Sequence, residues 1–257
     1  MTHVRALGTI IKWDGEPFTE NEFYCGVLDY FDWWHEVDPR LAPHQDQLSP
    51  PAFAVGHDIV NMATYVGHIL RWLEPERIKT APSVIVVGGM TEAFLFSARS
   101  ACDAIAVVLA YCACEKPGQA GNKSLHDLIK WAHKNKHKVR PEVFEILSGD
   151  FKWFYRLKHL RDQISHGLAD ANIYRNARQF FLWMRYKKAV EDREPLLPLL
   201  ADQLRQITAL ADRTARVTNK IIKLPPDRIK SRVVHGLYIS ELHRLISIAP
   251  DYAGPPP

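Results

Sequence analysis

An all-α fold is predicted: an up-and-down helical bundle with an N-terminal helical extension and a small β-hairpin late in the chain. Three observations predict it. Apolar residues recur at helical spacing along most of the 257 residues, and helix-start and helix-stop signals bound these stretches. Only Ile173 to Tyr186 is dense enough in β-branched and aromatic residues to read as a hairpin, with a helix as the competing reading. No internal repeat is evident. The chain divides into an extension over 1–80, a bundle over 81–223, and a short helix with a proline-rich, disordered tail over 224–257.

Hydrophobic residues at 47% and charged residues at 24% are those of an ordinary globular protein with a sizeable core. Met1 to Trp13 alternates charged and apolar residues and has no signal-peptide core. Elsewhere charges and glycines break the apolar stretches before the roughly 20 residues that a membrane span needs. The expectation is a soluble cytoplasmic protein with no membrane contact. Cys25, Cys102, Cys112 and Cys114 show no C-x-x-C spacing and three lie in one apolar segment, so they read as reduced core thiols.

Taken in order, Thr19-Glu-Asn-Glu22 is a capping box, followed by Phe23, Val27, Tyr30, Phe31 and Trp34 at helical spacing. His35 to Pro51, rich in proline, reads as a loop. Val55, Ile59, Met62, Val66, Ile69 and Leu73 repeat in steps of four and three, a helix that Pro75 ends. Val84-Ile-Val-Val-Gly88-Gly89 lacks the spacing of a phosphate-binding loop and leads into a long helix running through Cys114. The buried face of that helix carries Phe94, Ala98, Cys102, Ile105, Leu109 and Cys112. Arg99 and Asp103, one turn apart on it, can pair with each other or face another subunit.

Pro117, Gly118 and Gly121 mark Glu115 to Lys123 as a loop. Ser124 and Asp127 open a short basic helix to about His137, and Pro141 suits the first turn of another. Ser148-Gly149-Asp150 supplies a cap for a helix from Phe151 to His166, with Gly167 at its left-handed terminus. Pro195 and Pro198 precede a last long helix to about Lys223, with Leu200, Leu204, Ile207 and Ala211 on its seam. One more short helix is read over Leu237 to Ile248.

The charge is concentrated. Lys116 to Arg161 holds eleven lysines and arginines against four acids, a net +7, which leaves −3 for the rest of the chain. Such asymmetry suits either a polyanion-facing surface or a solvated basic helix face. It leads into Arg161-Asp-Gln-Ile-Ser-His166. An arginine can fork onto two phosphate oxygens and a histidine can accept and return a proton near neutral pH, so the pair has the means to cleave a phosphodiester without a metal.

On the helix that carries them, Trp153, Leu157, Leu160 and Ile164 form the face expected to pack, and Tyr155, His159, Asp162 and His166 the opposite one. Asp162 lies one turn before His166 and can fix its tautomer. Arg161 and His166 stand about 140° apart around the axis and about 7.5 Å along it, so one regular helix does not converge them. A wrapped arginine, a distorted helix end or a second copy in a symmetric dimer would.

This arrangement resembles the HEPN superfamily of toxin, defence and RNA-processing domains. A long helix carries a polar pair (Arg99, Asp103), short helices follow, and an amphipathic helix ends in R-x4-6-H with a polar residue directly after the arginine. The resemblance covers about Pro82 to Lys223. It implies a HEPN-like up-and-down bundle and a metal-independent endoribonuclease acting as a homodimer, with no cofactor. His166 would be general acid and base for attack of the 2′-hydroxyl on the adjacent phosphate, and Arg161 would stabilise the transition-state charge. Asp162 would orient the pair and Ser165 donate a hydrogen bond. Lys152, Arg156, Lys158 and His159, by charge and position, would hold the RNA backbone. The family also implies an antitoxin or a nucleotidyltransferase-like partner, and many members are inactive. The alternative reading is therefore a non-catalytic helical module that binds nucleotide, RNA or a protein. A metal site at His126, His133 and His137 is disfavoured by the charges of Lys134, Lys136 and Lys138.

Overall fold

In the computed structural model, residues 42–73, 81–166, 171–176, 179–185 and 191–223 are described. The capping-box helix at Thr19, Cys25, Gly167 and the helix read over Leu237 to Ile248 lie outside them. The described chain is mostly helical. In order it forms α1 (Ala42–Trp72), α2 (Ala81–Cys112), α3 (Leu125–Lys134), a 3-10 turn (Lys136–Lys138), α4 (Pro141–Leu147), α5 (Lys152–Ser165), β1 (Ala171–Asn176), β2 (Gln179–Arg185), β3 (Glu191–Pro195) and α6 (Leu196–Ile222).

Helix α1 begins ten residues before the end of the expected loop and contains Pro50 and Pro51. Neither proline can donate to the carbonyl one turn earlier, which weakens a helix locally. Burial of Leu48, Ala52 and Val55 on both sides of the interruption compensates, each being at most 3% exposed. Proline content pointed to a loop there; core burial overrode it.

The chain condenses into two compact units. Among the described residues the first comprises 42–59, 100–150 and 206–223. Its core draws on Leu48 and Val55 of α1, Cys102, Ile105 and Leu109 of α2, Leu125 and Leu128 of α3, Val143 and Leu147 of α4, and Ile207 and Ala211 of α6. Loop chemistry organises the rest. Gly118 and Gly121 take φ of +77° and +68°, the left-handed region that glycine enters without a Cβ penalty. The Gly118 N–H closes back on the Tyr111 carbonyl at 2.9 Å. Ser124 caps α3 by accepting the Asp127 N–H at 3.2 Å, while the Asp103 carboxylate of α2 accepts the Leu125 N–H at 2.9 Å. Those two bonds satisfy donors that a helix start leaves open, each worth about 1 kcal/mol. Arg140 pins the α2 exit through the carbonyls of Cys114 and Glu115, both at 2.9 Å. Cys102, Cys112 and Cys114 are buried and form no disulfide among the described residues. Burial pushes the Cys112 thiol up to about 11, more than its bond to Thr218 and the charge of Arg140 lower it, so it stays protonated.

The second unit comprises 60–73, 81–99, 151–166, the three strands and 196–205. Met62, Val66 and Ile69 of α1, Phe94 and Ala98 of α2, Phe154, Leu157 and Leu160 of α5, and Leu196, Leu200 and Leu204 of α6 fill its core. The strands pair antiparallel in the order β1-β2-β3. Ile173 lies opposite Leu182 and Leu182 opposite Glu194, so these three share one face. Its apolar members are 7% and 0% exposed. The hairpin expected over 173–186 is present as β1 and β2. Strand β3 was not anticipated, because Glu-Asp-Arg-Glu-Pro has poor strand propensity. Its charges and terminal proline suit an edge, where one side of the ladder stays unpaired.

The interval Val84–Cys112 of α2 is long and apolar enough to cross a membrane by length and composition, and most of its most apolar stretch is buried within the protein. The expected interruptions, Gly88, Gly89, Arg99 and Asp103, are present but do not outweigh its aliphatic residues. The buried row expected on this helix, from Phe94 to Cys112, is buried throughout, none of the six residues being more than 1% exposed.

Candidate functional site

Helix α5 presents the Arg161/His166 motif. Its start is not the side-chain cap expected from Ser148-Gly149-Asp150: the cap position falls on Phe151, and no side chain bonds there. Aromatic packing fixes this end. The Phe151 ring, 5% exposed, stands 6.2 Å from Trp153 and 6.3 Å from Phe154. The buried stripe is Phe154, Leu157 and Leu160, whereas Trp153 and Ile164 are only half-buried. The core face is thus rotated toward Phe154. Tyr155, His159 and His166 face outward as expected.

The last turn of α5 is an ion cluster centred on Asp162. Lys158 Nζ hydrogen-bonds one carboxylate oxygen, and Arg161 reaches the other at 3.0 Å. Burial pushes the Asp162 carboxyl up, but the Lys158 bond and the positive charges of Arg161, Lys158 and Arg99 outweigh that and hold it below its ordinary value. Asp162 therefore stays ionised, and it holds cations. Among the described residues no hydrogen bond joins it to the His166 imidazole, so the expected carboxylate–imidazole pairing is replaced by carboxylate–arginine pairing.

His166 is the residue that ends α5, at φ −90° and ψ 7°, with its backbone N–H on the Asp162 carbonyl at 3.1 Å. Its side chain is exposed. Ser165 donates its hydroxyl to the Asp162 carbonyl at 3.4 Å, a local helix bond rather than one aimed at a ligand. The four residues of the site thus gather at the end of α5, with Arg161 held and His166 exposed.

The cations expected to grip RNA are partly engaged. Arg156 pairs with Glu194 of β3, on the sheet face that buries Ile173 and Leu182. Lys158 is on Asp162. Lys152 and His159 are exposed. Arg99 is the residue that sequence reasoning underused. Only 5% exposed, it lays its guanidinium 4.8 Å from the centre of the Phe154 ring and adds its charge to the field on Asp162. A desolvated contact of this kind is worth about 2 kcal/mol. The signal was available: an arginine one turn beyond Phe94 and Leu95, within the most apolar helix of the chain, needs a built environment. Asp103, one turn further along α2, accepts the Leu125 N–H at the start of α3.

An open cavity of about 750 Å³ lies within the first unit, walled by Asp46 and Pro51 of α1, Ser100 and Asp103 of α2, and Lys123. Its two carboxylates disfavour a phosphate, and no residue of α5 lines it. Among the described residues no group of three histidines, cysteines or acids could hold a metal ion. His133 packs edge-on against Phe144, ring centres 5.6 Å apart.

No family model, no curated protein and no solved structure matches this chain.

Proposed function

We propose that this chain is a metal-independent endoribonuclease of HEPN type, cytoplasmic and active as a homodimer in toxin, defence or RNA-processing roles. The observation that carries the reading is the end of α5 from Lys158 to His166, where an ionised aspartate holds an arginine and the helix closes on an exposed histidine. In the reaction the RNA 2′-oxygen bonds to the adjacent phosphorus and the bond from phosphorus to the 5′-oxygen breaks. His166 takes the proton from the 2′-hydroxyl or delivers one to the departing oxygen, and Arg161 meets the charge on the phosphoryl oxygens. Asp162 holds Arg161 rather than His166. Five positions separate the two reactive residues in one helix, so a second copy supplies the missing half.

Replacing His166 or Arg161 by alanine is expected to lower cleavage of a labelled RNA in EDTA by about 100-fold or more. A second reading, a non-catalytic RNA- or nucleotide-binding module, is favoured by the engagement of Asp162 with cations alone. It takes over if the wild type binds RNA and leaves it intact.

A further inference from the structure

Elsewhere in the chain, α3 and the 3-10 turn after it carry a strongly cationic surface, with the Asp127 carboxylate at the start of α3 as the acid whose charge reaches Lys130. From Leu128 to Pro141 the sequence contains no aspartate or glutamate, yet it contains Lys130, Lys134, Lys136 and Lys138. Helix α3 buries Leu125, Leu128, Ile129 and Ala132. The opposite side is left to Lys130, His133 and Lys134, which are exposed, as are Lys136, His137 and Lys138 of the turn. Among the described residues none of the four lysines forms an ion pair.

The acids nearest in sequence are engaged elsewhere. Glu142 bonds Lys220 at 2.9 Å, and Asp127 accepts the Ser124 hydroxyl at 2.7 Å while feeling the charge of Lys130 without forming an ion pair with it. Arg140 is spent on two carbonyls of the α2 exit.

That pattern departs from how the same chain treats α6, another exposed helix surface. There Asp202 pairs with Arg205 and Asp212 with Arg216, at spacings of three and four. Lys130 and Lys134 repeat the four-residue spacing with like charges, which destabilises a helix. Like charges one turn apart on an exposed helix fit a surface kept for an anionic partner.

Aromatic rings are set among the lysines. Trp131 is half-buried, with Lys123 Nζ 5.8 Å from its ring centre. Lys136 Nζ stands 5.0 Å from the ring centre of Phe144. Cations interleaved with a partly open indole are the chemistry of a single strand, whose phosphates meet ammonium groups while a base stacks on the ring. Lysine point charges track a backbone without demanding a fixed phosphate geometry.

We propose that Lys130, Lys134, Lys136 and Lys138, with Trp131, form a docking surface for single-stranded RNA. It is a binding site distinct from the α5 turn, and it rests on the ribonuclease reading for the identity of the polyanion. It also relieves a difficulty of that reading, since Arg156, Lys158 and Arg161 have acidic partners already.

The test uses the full chain carrying His166→Ala, so that RNA survives, and a fluorescein-labelled poly(U) RNA followed by anisotropy across a salt series. Changing all four lysines to glutamine is expected to raise Kd at least tenfold. The slope of log affinity against log salt should flatten by about 2.8, at about 0.7 per phosphate contact. Trp131→Ala should raise Kd about tenfold and Trp131→Phe restore most of it. Lys130→Gln with Lys134→Gln serves as a milder pair, expected to flatten the slope by about 1.4. Unchanged affinity and slope in both lysine variants would overturn the proposal. So would displacement of the RNA by poly-glutamate at equal charge concentration, which would assign the surface to an acidic protein segment. The two readings separate cleanly: intact RNA after incubation with the wild-type chain defeats the ribonuclease alone, and unaltered binding by the lysine variants defeats this surface alone.

Discussion

Helix α5, and α3 with its 3-10 turn, each present four lysines or arginines, but they use them differently. On α5 Arg156 pairs with Glu194, and Lys158 and Arg161 pair with Asp162. On α3 and the turn the four lysines form no ion pair among the described residues; Lys136 stands beside the Phe144 ring, and Lys130 and Lys134 face each other's like charge one turn apart. Paired cations are positioned but partly neutralised, whereas exposed cations outside ion pairs keep more of their charge for a polyanion. Position serves chemistry at a reacting phosphate; availability serves capture of a strand.

The largest expected effect breaks the α5 side of this comparison. Phe154→Ala removes a fully buried ring and the platform beneath Arg99, and should cost about 3–5 kcal/mol in urea unfolding. A loss below about 1 kcal/mol would mean that the aromatic start of α5 is not what holds the motif turn.

A smaller effect tests whether the Asp162 pairs are structural. Its folded-state acidity is held below the ordinary value, so its contribution to stability is present above the unfolded value, about pH 3.9, and is lost as the pH falls through the folded one. Asp162→Asn should therefore melt lower than wild type at neutral pH, with the gap closing in acid. A gap of the same size at pH 7 and near pH 3 would remove the ion cluster from the account.

The smallest effect sharpens the contrast by making α5 more like α3. Glu194→Gln releases Arg156, and in RNA binding to the His166→Ala chain it should steepen the salt dependence by about 0.7. An unchanged slope would indicate that α5 does not touch the strand at all.

Much of the fold was legible because burial on a helix leaves a period. The seams of α1, α2 and α6 were visible as apolar residues every three or four positions, and each is buried. Ser124 and Pro141 announced α3 and α4 because caps and first turns have few chemical solutions. What misled was local chemistry that tertiary packing outweighed. Pro50 and Pro51 argued for a loop, yet α1 runs through them. The charged run 191–195 carries no strand signal, yet it pairs with β2. At the site, Trp153 looked like a core residue by spacing, but one step along the helix Phe154 took that place.

The sequence by itself determined the helical class, the helix order, the placement of the basic segment and the motif at the end of one helix. Periodicity, capping and charge are properties of neighbouring residues, and a helix brings neighbours together within a turn or two. Only the tertiary structure decided that Asp103 would cap α3, that Arg99 would stand on Phe154, that Asp162 would hold Arg161 and Lys158 instead of His166, and that Glu194 would take Arg156. Most of these join residues tens of positions apart, and the exception at Asp162 was a competition among three adjacent partners. In each case the choice was set by which groups burial and nearby charge brought within reach.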